Sequence, residues 1–258
     1  MPLITLTTDF GTRDWFVGTM KGVILGIAPG AAIVDITHEI AAGDIRAGAF
    51  ALAVSCRFFP KGTVHVAVVD PGVGGAREAI AVQTAKYFFV GPDNGVLSFA
   101  LAREKIKSVH RLENTSYFLH PVSHTFHGRD IFAPIAAQLC RGTPVHRLGP
   151  VQKEFARLKW ARPRLHGSRI EGEVVFVDRF GNAITNIQNA DLGRRSGLGV
   201  FLGRKRLCPV GAFYQSVPTG EAVAVPGSSD FLEIAVNGGS AAKRFRLKVG
   251  DRVSVRWP

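Results

Sequence analysis

A change of rhythm near residue 160 constrains the fold of this chain more than any other feature. Before it, short apolar strands alternate with stretches of helical periodicity. After it, short strands follow one another, with Gly and Pro between them. Leu3–Thr8 reads as a strand entering a core. Phe16, Met20, Val23, Ile24 and Ile27 fall on one helical face, and Pro29-Gly30 stops that helix. Residues 32–36 form a second strand. Ile45, Ala49, Leu52, Ala53 and Cys56 line another helical face, and the Val-rich stretch 63–69 is a strand buried on both sides. Segments 80–83 and 87–90 flank Thr84-Ala85-Lys86 as a strand pair, and 94–103 and 129–141 are expected helices. This alternation implies an α/β/α layered domain with a mostly parallel sheet.

The later segments 171–177, 183–187, 200–202, 222–225, 232–236 and 252–256 have no convincing helices between them and predict a smaller all-β, barrel-like domain. The expected domains are 1–158 and 169–258, joined by the basic, Pro-containing stretch 159–168. A composition of 46% hydrophobic and 20% charged residues is that of a globular chain and argues against disorder. The longest stretch free of Asp, Glu, Lys and Arg, 114–128, contains His, Ser, Thr and Asn, which a membrane span would exclude. No secretory signal is visible, so a cytoplasmic location is expected. Cys56, Cys140 and Cys208 lie too far apart for a zinc-ligand pattern and read as buried small hydrophobes. The net charge of +12 is concentrated in the second half, with clusters at Arg204-Lys205-Arg206 and Lys243-Arg244-Phe245-Arg246. No nucleic-acid-binding motif accompanies them, and they read as solvated surface.

In a parallel sheet, ligands gather beyond the carboxyl ends of the strands. Polar, Gly-rich segments sit there: Thr7-Thr8-Asp9-Phe10-Gly11, then Asp70-Pro71-Gly72-Val73-Gly74-Gly75-Ala76-Arg77, then Gly91-Pro92-Asp93-Asn94-Gly95. Thr125-Phe126-His127-Gly128-Arg129-Asp130 precedes a helix. The Gly72–Gly75 run matches neither phosphate-binding fingerprint. Asp70 and Arg77 are compatible with a structural ion pair or with a functional one, Asp9 with a helix cap, and His127 with an ordinary structural histidine. Asp9, Asp70, Asp93, His124, His127 and Asp130 could in principle ligate a metal. No HExxH motif is present and Arg77 would oppose a cation, so no metal is expected.

Seven motifs together change the weight of these readings: TTDFGTRDWFVGTMKGVI, ITHEI, VHVAVVDPGVGG, VGPDNGVLS, TFHGRDIFAPIAA, VDRFGNAITNI and EIAVNGGSAA. In this order, spanning residues 7–242, the chain resembles the S-adenosylmethionine hydroxide adenosyltransferases, relatives of halogenases that attack the same substrate with halide. The resemblance implies hydrolysis of S-adenosylmethionine to adenosine and methionine, without a cofactor. It implies a homotrimer with sites shared between subunits, and an Asp-Arg-His triad at Asp70, Arg77 and His127. It places the ribose-binding aspartate at Asp9. The motif that contacts the purine and the methionine part falls on Asp178, Phe180 and Asn182. The adenine-reading strand falls on Ser228, Ser229, Glu233, Val236 and Asn237, with Tyr214 nearby. Where the family pattern has Ser-Ser-Gly, this chain has Ser228-Ser229-Asp230, and Val225-Pro226-Gly227 is expected to absorb the difference. A halogenase, or a non-catalytic binder of adenosine or nucleic acid, are the alternative readings.

Overall fold

The β-branched run at the N-terminus forms β1 (Leu3–Thr8), an inner strand of the first sheet in the computed structural model, which describes residues 2–258. Parallel partners flank it: β2 (Ala32–Thr37) on one side and β3 (Val64–Val68) on the other. The hairpin of β4 (Ala79–Thr84) and β5 (Phe88–Pro92) follows, with β5 parallel to β3. β6 (Ile106–Arg111) closes the sheet antiparallel to β4, in the order β2-β1-β3-β5-β4-β6. The helices are α1 (Phe16–Ile27), α2 (Ile45–Ser55), the short α3 (Ser98–Leu101) and α4 (Ala133–Cys140).

Side-chain alternation divides the sheet into two faces. Ile4, Leu6, Val64, Val66 and Val68 join Met20 and Ile24 of α1 and Ile135, Ala136 and Leu139 of α4 in one core. The opposite face carries Thr5, His65 and Phe89, and α2 packs beside β1, β2 and β3. Removing Leu6, Phe132 or Ile135 from water is worth about 1.5–3 kcal/mol each. The sheet is therefore an anchored platform, and the loops beyond the ends of β1 and β3 hang from it.

Residues up to Leu158 make one compact unit, and Lys159–Pro258 make a second. The second contains β7 (Arg164–His166), β8 (Arg169–Val177), β9 (Ala183–Gln188), β10 (Gly199–Leu202), β11 (Lys205–Pro209), β12 (Ala222–Pro226), β13 (Phe231–Val236) and β14 (Arg252–Arg256). Its strands are antiparallel in the order β11-β10-β14-β8-β9-β13-β12, with β7 beside β8. A bridge between Val210 and Ala224 brings the two ends of the sheet together, so the barrel is nearly closed. Val174, Ile187, Val200, Ile234, Val253 and Val255 fill it.

The structure departs from expectation in several places. The helix expected over 94–103 shrinks to α3, because Gly95 has φ +98°, outside helical space, and the Asn94 side chain caps the turn by accepting from Val96 N–H. The helix expected over 129–141 begins with a π-helical turn at Gly128–Phe132, immediately after His127. Two short helices, α5 (Asn189–Leu192) and α6 (Ala241–Phe245), interrupt the second unit. Arg204-Lys205-Arg206 is exposed, as expected, and spans a turn and the start of β11. Among the described residues, no helix is long and apolar enough to cross a membrane.

Candidate active site

Asp70 lies two residues beyond β3, and Arg77 lies two residues before β4. Arg77 Nε donates to Asp70 Oδ1 at 3.0 Å and to Oδ2 at 2.9 Å, and Nη2 also contacts Oδ2. The same Nη2 lies 2.8 Å from His127 Nδ1. A guanidinium can only donate, so His127 Nδ1 is the acceptor and, in the neutral ring, the proton sits on Nε2. Burial, followed by the positive charge of Arg77, lowers the His127 pKa from 6.5. Arg77 also lies over the Phe132 ring, 5.5 Å from its centroid. Its side chain is 12% exposed and that of Asp70 is 4% exposed, so the cation is largely removed from water and is balanced by the carboxylate.

Two loops must approach closely for this contact, and Gly74 allows it. Its φ is +76°, and a Cβ there would sit 2.2 Å from the His124 carbonyl oxygen. The glycine run thus serves loop-to-loop packing, bringing the loop carrying Arg77 against the segment carrying His127. Asp130, fully buried, holds that segment from below. Burial alone would raise its pKa, but bonds from Arg129 and Ser123 outweigh that effect and lower it. Its carboxylate accepts from Ser123 N–H at 2.9 Å and Ser123 Oγ at 2.7 Å.

Asp9 does not cap α1, whose first turn has no side-chain cap. Its Oδ2 instead accepts from Gly43 N–H at 2.8 Å, and Gly43 packs beside Pro71. Phe10 makes an edge contact with Phe126, with centroids 5.8 Å apart, and lies beside Gly128. The loops carrying Asp9, Asp70 and His127 therefore converge at one end of the sheet. The remaining residues considered as metal ligands are occupied elsewhere or exposed. Asp93 accepts from Gln152 Nε2 and Ala156 N–H, Asp130 is bonded as described, and His124 faces solvent. Among the described residues, no three His, Cys, Asp or Glu side chains form a group that could hold a metal ion.

The second unit carries a cavity of about 860 Å³. Its wall includes Asp178, Phe180, Asn182, Tyr214, Ser228, Glu233, Val236 and Asn237. Tyr214 O–H donates to Glu233 Oε2 at 2.9 Å. Burial raises the Glu233 pKa, although the Tyr214 bond lowers it, and Asp178 adds to the rise. Burial and the Glu233 carboxylate push Tyr214 up to about 12. Asp178 accepts from Asn182 N–H at 2.8 Å and Asn182 Nδ2 at 2.9 Å. Phe180 is 78% exposed and Phe213 60% exposed, so two aromatic rings border a cavity with acidic walls.

Family models now bear on both units. The model for the SAM hydroxide adenosyltransferase N-terminal domain matches residues 4–149, and that for its C-terminal domain matches residues 172–254. The chain belongs to the SAM hydroxide adenosyltransferase family. It is 41% identical to the (R)-S-adenosyl-L-methionine hydrolase of Thermus thermophilus, covering 94% of this chain and 95% of that one. The crystal structure of an uncharacterized conserved protein from Thermotoga maritima superposes with a TM-score of 0.94 at 38% identity, covering 99% and 100% of the two chains. A fluorinase from an Actinoplanes species is more distant, at 27% identity over 98% of this chain and 97% of that one.

In this family member the triad positions meet, Asp9 lies on a neighbouring loop, and eight of the nine positions expected in the second unit line one cavity. Ser229 is not part of that lining, and its Oγ is buried without a hydrogen-bond partner. The Asn182 amide nitrogen is directed at Asp178, so Asn182 holds that carboxylate in place. Asp230 itself takes φ +71°, a left-handed conformation that Asp tolerates better than most residues, so Val225-Pro226-Gly227 does not have to compensate. Phe213, Gln215, Gly238 and Gly239 also line the cavity and were missed from sequence. The usable signal was adjacency to Tyr214 and Asn237, and nothing in residue type alone marked them.

Proposed function

We propose that the protein hydrolyses S-adenosylmethionine to adenosine and methionine. The oxygen of an activated water or hydroxide forms a bond to ribose C5′ as the C5′–S bond breaks. The bonding pair goes to sulfur, neutral methionine thioether leaves, and one proton of the attacking water is released to solvent while the other stays on the new 5′ hydroxyl. Because the sulfonium is already a good leaving group, the step calls for no general acid and no resident cofactor. Its requirement is a positioned oxygen nucleophile.

The observation that carries this reading is the Arg77 guanidinium bonded at once to Asp70 and His127. In a partly dry site such a cation favours the hydroxide form of a bound water before it attacks. Asp70 fixes the fork, and the His127 ring, which also hydrogen-bonds the Ser123 backbone, holds the outer nitrogen of the guanidinium through Nδ1. With its Nδ1 lone pair turned to Arg77, His127 acts as an orienting group rather than as the base. Asp9 grips the ribose hydroxyls. The cavity of the second unit takes the purine against Phe180 and the methionine ammonium against Asp178. Its acidic side chains suit a substrate that is cationic at sulfur and nitrogen. The hydrolase relative's name specifies the R configuration at sulfonium, and we assign the same preference here. We further assign a cytoplasmic homotrimer with shared sites. The exposed rings of Trp15, Phe180 and Phe213 support an assembly that covers them.

Purified protein incubated with each sulfonium epimer in ¹⁸O-labelled, halide-free water should yield adenosine labelled at the 5′ oxygen, faster from the R epimer. Formation of 5′-halo-5′-deoxyadenosine in preference to adenosine when chloride or fluoride is added would assign a halogenase instead. Tight binding without any product would assign a binder. Light scattering that gives a monomer would overturn the trimer.

A further inference from the structure

We propose that His38 is a positioning residue that holds the Asp9 loop in its ligand-gripping shape through the hydroxyl of Thr8. The inference rests on the reading of Asp9 as the ribose-binding residue. It concerns a histidine that the proposed chemistry does not otherwise use.

His38 follows β2 and is 4% exposed. A register shift in the β1–β2 pairing, between Leu6 and Thr7, accompanies its approach to the end of β1. His38 Nδ1 lies 2.8 Å from Thr8 Oγ1, and Nε2 lies 3.0 Å from Asp35 Oδ1. Asp35 is paired in turn with Lys21 at 2.5 Å. A carboxylate beside Nε2 favours the tautomer with the ring proton on that nitrogen, although the pair lacks hydrogen-bond alignment. The Nδ1 lone pair is then free to accept the Thr8 O–H, and the Thr8 oxygen accepts from Phe10 N–H at 3.2 Å. The His38 carbonyl also accepts from Gly11 N–H at 2.7 Å.

Residues 8, 10 and 11 are thereby tied to one histidine, two of them through the same hydroxyl, and Asp9 lies between them. Asp9 Oδ2 is held by Gly43 N–H, while Oδ1 takes no hydrogen bond from the described residues. The clamp therefore fixes the backbone on both sides of a carboxylate with one oxygen still available. Thr8 is fully buried, so its hydroxyl has no direct access to substrate. A loop ordered in advance does not lose that freedom when ligand binds, so the clamp acts on affinity. The triad residues hang from other loops and keep their own bonds.

Steady-state kinetics of His38→Ala, Thr8→Val and the double variant test this. Each single variant should raise KM about tenfold and leave kcat within about twofold, as expected for lost uniform binding. The double variant should raise KM no further, because both changes break one clamp. His38→Asn, whose amide oxygen can take the place of Nδ1, and Thr8→Ser should restore KM to within about threefold. Unchanged KM in Thr8→Val and His38→Ala overturns the inference, as does a fall in kcat at constant KM. If His38→Ala does not fold, Thr8→Val carries the same test. Asp9→Ala is the control. A raised KM there with none in Thr8→Val defeats only this inference, whereas unchanged KM in Asp9→Ala defeats the ribose reading beneath it.

Discussion

In the N-terminal unit, the charged and polar groups at the end of the sheet are bonded to one another: Asp70 to Arg77, Arg77 to His127, and Asp130 to Arg129 and Ser123. In the C-terminal unit, the polar groups pair off along the wall of an open cavity, Asp178 with Asn182 and Tyr214 with Glu233, and aromatic rings border the opening. The first arrangement fixes the direction of a few donors tightly. The second leaves room and presents both charge and apolar surface. Bond-making at one carbon needs the first kind of order, and holding a purine and an amino acid needs the second. Changes in the two regions should therefore separate in kinetics, with losses in kcat from one and losses in affinity from the other.

The sharpest break comes from Arg77→Ala. Removing the cation that contacts both Asp70 and His127 should lower kcat by about 10²–10³-fold, with substrate affinity changed by far less. Turnover near the wild-type rate would remove Arg77 from the chemistry. Asp178→Ala, in the other region, should raise KM about tenfold, since it deletes a charged acceptor and strands the Asn182 donors. An unchanged KM with a reduced kcat would invert the assignment of the two regions.

The pH dependence sharpens the comparison further. His127 must be neutral to accept from Arg77, and its pKa lies below 6.5. Activity should thus hold steady as pH falls to 6.5. Below its lowered pKa, kcat/KM should fall by up to about tenfold per pH unit as the ring protonates against the guanidinium. An acid limb centred above pH 6.5 would contradict this.

The smallest effect concerns a histidine in the same unit but outside the site. His65 is fully buried, bonded to Thr5 Oγ1 at 2.7 Å, and burial holds its pKa at about 4. Below pH 6.5 the unfolded chain takes up a proton that the folded ring refuses. Stability present above pH 6.5 is therefore lost on acidification, by about 1.4 kcal/mol per pH unit down to pH 4. His65→Phe should leave kcat unchanged and lower stability at pH 7 by about 1 kcal/mol, because Thr5 loses its partner. It should also remove this part of the acid slope in denaturant titrations. An equally steep slope in the variant would assign the acid sensitivity to other groups.

Some of these features could be read from residue order alone. Alternation of period-two and helical patterns separated an α/β unit from a β unit, because burial on one face of a strand or helix imposes its own spacing on the chain. The order of seven motifs marked the triad positions and most of the cavity wall. Helix ends were harder to read. Gly95 looks compatible with a helix until its φ of +98° is known, and the π-helical turn at Gly128–Phe132 has no spacing of its own. Strands β6, β7 and β11 were missed because their residues are mixed or basic, and their pairing comes from neighbours distant in sequence.

Residue type and order, by themselves, determined which groups are available: an acid, a guanidinium and an imidazole in one unit, and carboxylates with aromatic rings in the other. They also determined where the chain changes architecture, since backbone periodicity is a local property. Only the tertiary structure decided which nitrogen of His127 accepts a proton-bearing donor, that Gly74 lets two loops touch, and that His38 reaches the hydroxyl beside Asp9. These are contacts between segments 30 to 50 residues apart. Their geometry follows from how the sheet and its loops pack, which no local pattern encodes.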